Sequence, residues 1–144
     1  MLRPPAHPVP CHSCGFELYH PVAESATTRL GLYDDARFPG RCILMLQAHY
    51  TSLEQVPPAV MQAFGQDIQR AMWAIRVATG AARVNVAILG NRDPHVHAHL
   101  IPRWPNREAK PDCSPWDDPR PKAALPPEAI GVLAQAIGAA LRTS

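Results

Sequence analysis

Residues 95–99 read His-Val-His-Ala-His and run into Leu100-Ile101-Pro102-Arg103. An imidazole can attack phosphorus, ligate a metal or carry a proton, so three of them together are a concentration of chemistry. Their strict alternation with apolar residues is a β-strand pattern, because side chains at i, i+2 and i+4 of an extended chain share one face. His95, His97 and His99 then form a row, while Val96, Ala98 and Leu100 point into a core. At about 3.3 Å per residue, neighbours in the row lie roughly 6.6 Å apart and its ends roughly 13 Å apart. One metal reaches at most two of these rings, so the row does at least two jobs.

A second group of candidate ligands lies near the N-terminus, in Cys11-His12-Ser13-Cys14-Gly15. Taken alone, a C-x-x-C pair is compatible with a zinc knuckle, a redox pair or chance. No second pair follows, since Cys42 falls in an apolar run and Cys113 in a proline-rich stretch. A tetrahedral site built on Cys11 and Cys14 must therefore draw its other two ligands from elsewhere, and histidines are the expected donors.

The elements that must position these residues follow from periodicity. Residues 30–33 and 42–46 are short apolar runs separated by Asp34-Asp35-Ala36-Arg37-Phe38-Pro39-Gly40, which reads as two strands and a turn. After Pro57-Pro58, apolar residues recur at Val60, Phe64, Ile68, Met72 and Ile75, predicting an amphipathic helix that stops at Gly80. Residues 83–89 alternate as a strand, Gly90-Asn91 turns the chain, and the histidine strand at 95–103 completes a hairpin. Pro126-Pro127-Glu128 opens a last helix with Ile130, Leu133, Ile137 and Leu141 on one stripe. The order β-β-α-β-β-α predicts an α+β fold: an antiparallel β-sheet meander with one long central helix and a C-terminal helix.

With 144 residues the chain is expected to form a single domain, 1–144. Of its 17 prolines, four fall between 4 and 10 and nine between 94 and 127. They predict a flexible Pro-rich arm at 1–10 and a long irregular loop at 105–125, part of which Trp116 should pack down. The net charge of +2 implies neither a nucleic-acid stripe nor a membrane-seeking patch. No apolar run has the length of a membrane span, and the polar, proline-rich start lacks a signal-peptide core. A cytoplasmic protein with reduced cysteines is the expectation.

His95 to Ile101 fits the His-φ-His-φ-His-φ-φ pattern, φ being apolar, and on it the chain resembles the histidine triad (HIT) nucleotide hydrolases and transferases. The resemblance covers about residues 30–104. It includes Phe38-Pro39-Gly40 before the strand, then His49 with Leu53 and Pro57, similar to the family's Pro-Gly-His strand and Pro-Lys-x-His segment. Asn85, ten residues before the row, resembles the family's asparagine there, and the Asp-Ala-Arg-Phe-Pro wording of 35–39 resembles a bacterial branch. The resemblance implies a HIT-like fold and hydrolysis or transfer of a nucleotidyl group, cut from a phosphoanhydride or phosphoramidate such as a dinucleoside polyphosphate. It assigns His97 as the nucleophile that holds the group covalently. His99 then stands near the transferred phosphate, where an imidazolium could stabilise charge or donate a proton. Asp34 or Asp35 would hold the ribose, with Asn85 also against the substrate. Apart from the resemblance, the loop Gly90-Asn91-Arg92-Asp93 before the row either offers backbone donors to phosphate or is an ordinary hairpin turn.

Family members also bind structural zinc through two N-terminal cysteines, the Pro-Lys-x-His histidine and the first triad histidine. Carried over, the ligands are Cys11, Cys14, His49 and His95, with His12 and His20 as spare donors. The chain departs from the pattern at Pro39-Gly40-Arg41, where many relatives have Pro-Gly-His. Arg41 offers a fixed positive charge to phosphate if it points into the site, and is an ordinary strand arginine if it does not. The resemblance further implies a homodimer. Two rival readings stand beside it. A non-catalytic nucleotide-binding regulatory protein would keep the fold without turnover. A cupin-like metalloenzyme would need a glutamate shortly after the histidine pair and a later strand histidine, and neither is present.

Overall fold

The computed structural model describes residues 2–5 and 10–143. Its strands are β1 (His20–Glu24), β2 (Thr28–Leu32), β3 (Cys42–Leu46), β4 (Arg83–Ala87) and β5 (His97–Arg103). Helix α1 (Pro58–Thr79) joins β3 to β4, and α2 (Pro127–Arg142) follows β5. The strands form one sheet in the order β1-β2-β3-β5-β4, antiparallel at every pairing. The meander holds from β1 to β3. Beyond it the α1 crossover carries β4 to the sheet edge, and β5 returns between β4 and β3.

The alternation of apolar residues explains the layering. Leu30, Leu32, Leu44, Leu46, Ala98 and Leu100 are buried together with Phe64, Ala71 and Ile75 of α1 and Ile137 and Leu141 of α2. Both helices thus cover one face of the sheet and leave the histidine face free. Val60, Ile68 and Met72 complete the α1 stripe as partly buried contacts. Gly80 ends the helix in the left-handed region at φ 70°, with its N–H donating to the Arg76 carbonyl. Among the described residues no helix is long and apolar enough to cross a membrane.

Two features differ from the sequence expectation. Strand β1 was not anticipated: His-Pro-Val-Ala-Glu has no alternation and carries a proline. The sheet accommodates Pro21 because β1 is an edge strand whose register shifts between Pro21 and Ala23. The N-terminal residues are also engaged. Arg3 and Glu24 exchange backbone hydrogen bonds of 2.7 Å, and Leu2 is buried. Residues 6–9 of the expected arm lie outside the described residues.

The segment between β5 and α2 contains two short 3-10 turns, Pro105–Arg107 and Pro115–Asp117. Buried Arg103 ties it to the sheet, donating to Glu108 Oε1 (2.7 Å), Asn85 Oδ1 (2.6 Å) and the Cys113 carbonyl (2.9 Å).

Candidate functional site

Strand register places the row. His97 lies opposite Met45 and His99 opposite Ile43 on β3, both on the face away from the helices. His95 sits just before β5, fully buried, and its ring is turned to another task. His95 Nε2 donates to the Leu46 carbonyl (2.6 Å), which leaves Nδ1 with its lone pair. That nitrogen lies 3.3 Å from His49 Nδ1 and 3.5 Å from Cys14 Sγ, and Cys11 Sγ is 3.6 Å from His49 Nδ1. Cys11, Cys14, His49 and His95 thus form a cluster, with ligand atoms all within 4.8 Å of one another, that could hold a metal ion. His12 is exposed, and His20 lines a separate cavity on β1.

His97 and His99 stay free of that cluster and carry their protons on opposite nitrogens. His97 Nδ1 is 2.6 Å from the His95 carbonyl, an atom that can only accept, so Nδ1 bears the hydrogen and Nε2 the lone pair. His99 Nδ1 instead accepts from Arg41 Nη2 at 3.1 Å, so its hydrogen resides on Nε2. Burial pushes the His99 imidazolium down, and the nearby charges of Arg41, His97 and Lys122 push it further, to about 4. The imidazolium expected at this position is therefore disfavoured near neutral pH.

Arg41 is only 4% exposed, and its guanidinium faces the row rather than solvent. It lies 4.1 Å over the Tyr33 ring and donates through Nη1 to Asp35 Oδ2 (2.9 Å). Asp35 is fully buried and also accepts two bonds from the Arg37 guanidinium, at 3.0 and 2.9 Å. Burial pushes the Asp35 carboxyl up, but the bonds and charges of Arg37 and Arg41 outweigh it and hold it below its usual range. Asp34 is half-buried, with Oδ1 accepting from the Leu125 N–H (2.6 Å). It borders a cavity of about 660 Å³ between the segment 16–20, Tyr33, Ile43 and Lys122. An adjoining space of about 470 Å³ is lined by His97, His99, Arg41, Arg37, Asn91, Arg92, Trp116 and Lys122.

The structure thus brings His97, His99, Arg41 and Asn91 to one cavity and Asp34 to its neighbour. Asp35 stands behind Arg41, and Asn85 is held by Arg103. Sequence reasoning missed Phe16, which stacks on His95 and His97 at 5.3 and 4.8 Å between ring centroids. It also missed Tyr33 and Lys122. A signal existed for Phe16, because a chain tethered through Cys14 to His95 must pass beside the row. Trp116, which was expected to pack down, meets His99 edge-on at 5.4 Å while remaining 50% exposed.

A profile of the HIT domain matches residues 20–106. The chain belongs to the HIT family. Among solved structures, this HIT protein is similar to a histidine triad protein from Sinorhizobium meliloti, at 24% identity and a TM-score of 0.73 over 82% of this chain and 86% of the other. It is similar to a Zn-bound histidine triad family protein from Mycobacterium smegmatis, at 19% identity and a TM-score of 0.62 over 85% and 84%. Diadenosine triphosphate hydrolase of Plasmodium falciparum shares the fold at 13% identity, with a TM-score of 0.52 over 90% and 82%. No curated protein matches the chain. The region matched by the profile holds the whole sheet, His49 and the row, but leaves out Cys11, Cys14 and Trp116.

Proposed function

We propose that this HIT protein hydrolyses or transfers a nucleotidyl group through a covalent intermediate on His97. The hydrogen bond from His97 Nδ1 to the His95 carbonyl carries this reading, because it directs the lone pair of Nε2 away from the backbone and leaves it available for attack on phosphorus. The cavity beside Asp34 is large enough for a nucleoside, and Asp34 keeps a carboxylate oxygen for the ribose hydroxyls. Asn91, Arg92 and Lys122 rim the adjoining space and supply donors and charge for a phosphate chain. Asn85 acts from behind by holding Arg103, and with it the segment that carries Trp116.

The metal of the four-residue cluster is assigned as zinc. Two thiolates and two imidazole nitrogens suit that ion, and a tetrahedral site with bonds of about 2.0–2.3 Å has ligand edges of about 3.3–3.8 Å. The observed separations of 3.3, 3.5 and 3.6 Å fall on those edges. With all four positions taken by protein, the ion would be structural. The bond from His95 Nε2 to Leu46 orients the ring for it.

Turnover of diadenosine polyphosphates and mononucleotide derivatives by purified protein, with His97→Ala as control, tests the proposal. The wild type is expected to turn over at least one and to show a nucleotidyl adduct by mass spectrometry of the quenched reaction. The variant should lose activity by a factor of about 10³ or more. Binding without turnover would identify a nucleotide-binding regulator instead.

A further inference from the structure

The arginine that stands where relatives have histidine changes what His99 can do. Its Nη2 donates to His99 Nδ1 at 3.1 Å, and its Nη1 is fixed by Asp35 at 2.9 Å. Tyr33 lies below the guanidinium at 4.1 Å and Trp116 at 5.5 Å, so Arg41 has little room to withdraw. Arg37 fixes the same carboxylate in turn, donating to Asp35 Oδ1 through Nε (3.0 Å) and to Oδ2 through Nη2 (2.9 Å). A guanidinium has no lone pair to offer and does not deprotonate in this range. We propose that Arg41 is a positioning residue that locks His99 as a neutral, Nε2-protonated hydrogen-bond donor, and so restricts the enzyme to phosphoanhydrides over phosphoramidates.

The inference rests on the nucleotidyl-transfer reading for its substrate half only. The charged and titratable groups facing His99 are Arg41 and Tyr33 from the β2–β3 connection, His97 from β5, and Lys122 from the segment after β5. Arg41 and Lys122 are the cations among these, and none is a carboxylate. Burial and the same cations hold the His99 imidazolium down to about 4, in keeping with the geometry.

The chemistry then divides by leaving group. When His97 Nε2 attacks a phosphoanhydride, an N–P bond forms and a P–O bond breaks, with the electron pair departing on an oxygen of a phosphate. That oxygen is stable as an anion near neutral pH and needs no proton. A hydrogen bond from His99 Nε2–H is sufficient to stabilise it. When the bond broken is P–N, the departing amine must gain a proton, and a neutral His99 could supply its Nε2 hydrogen only by becoming an imidazolate, which is too basic to form near neutral pH. Acid catalysis of this kind contributes about 10²–10⁴-fold, so its loss falls on the phosphoramidate alone.

Nitrogen-15 NMR of the full-length, zinc-loaded protein labelled at histidine tests the first half without any substrate. His99 is expected to remain neutral and protonated on Nε2 between about pH 5 and 8. A proton on Nδ1, or titration near the ordinary 6.5, would overturn the proposal. Arg41→Met should bring the His99 midpoint up and mix its tautomers, and Arg37 still pairs Asp35 in that variant. Should Arg41→Met not fold, Arg41→Gln keeps a donor to Nδ1 without the charge, and should keep the tautomer while raising the midpoint. The second half compares diadenosine tetraphosphate with adenosine 5′-phosphoramidate. We expect wild-type kcat/KM to favour the anhydride by about 100-fold or more, and Arg41→His to narrow that ratio at least about tenfold. Equal turnover of the two by the wild type would overturn the restriction. If neither is turned over, the proposed function and the restriction both fall, while the NMR result still decides the state of His99.

Discussion

His97 and His99 are the same side chain two residues apart on one face of one strand, yet their partners set opposite tautomers. A carbonyl before the strand makes one Nδ1 a donor, and Arg41 makes the other an acceptor. The two adjacent acids divide in a similar way. Asp35 is spent on Arg37 and Arg41, whereas Asp34 gives up a single oxygen to a backbone amide. Asp35→Ala should therefore cost about 3–5 kcal/mol in urea unfolding, because two buried guanidinium contacts lose their acceptor. Asp34→Ala should cost about 1 kcal/mol for its one hydrogen bond and raise KM for a nucleotide substrate. A stable Asp35→Ala, or an Asp34→Ala with unchanged KM, would reverse these assignments.

At the scale of elements, the site is assembled where three connections cross the open face of the sheet. The segment 11–19 meets the sheet at the Cys11, Cys14, His49 and His95 cluster, the β2–β3 connection is tied by Asp35, and the proline-rich segment by Arg103. In the β2–β3 connection Gly40 adopts φ 101°, and an added Cβ would lie 2.5 Å from Thr79 Cγ2, so the turn that delivers Arg41 demands glycine. Metal removal isolates the first of these ties. Metal analysis should find one zinc per chain. A chelator, or Cys11→Ser with Cys14→Ser, should lower Tm by roughly 10 °C, for about 2–3 kcal/mol of lost binding energy. Hydrogen exchange should rise in 11–19 and 94–97 while β2 and β3 stay protected. A metal-free protein with unchanged Tm would remove zinc from the account.

On the scale of the whole molecule, large apolar side chains are exposed on α1 and on the edge strand β4. Trp73 and Val77, one turn apart on α1, are 44% and 57% exposed, and Val86 is exposed on the edge strand β4. Exposed apolar side chains on α1 and on the edge strand suit a second copy of the chain. We expect light scattering to show a homodimer at micromolar concentration and Trp73→Glu to dissociate it. A wild-type mass of about 16 kDa would show a monomer instead.

The row, both helices, the hairpin that holds β5 and the Cys11–Cys14 pair were legible in the linear chain, because each depends on local periodicity or on a residue type that only a few chemistries use, whereas His49 and His95 joined the cysteines only through the family resemblance. A strict alternation fixes a face, and a thiol pair asks for two further ligands. Strand β1 was not legible, since an edge strand with a proline needs neither alternation nor a full ladder. The insertion of β5 between β3 and β4 was equally hidden, because strand order depends on which surface α1 covers. The sequence placed Asp34, Asp35, Arg41 and Asn85 near the chemistry without ranking them. Only the tertiary structure decided that Asp35 serves Arg41, that Asn85 serves Arg103, and that Arg41 sets the proton on His99. Asn85 with Arg103 and Arg41 with His99 are pairs that only the sheet brings together, the Asp35–Arg41 pair depends on how one turn folds back, and burial, which makes such pairs strong, is a property of the fold and of no single segment.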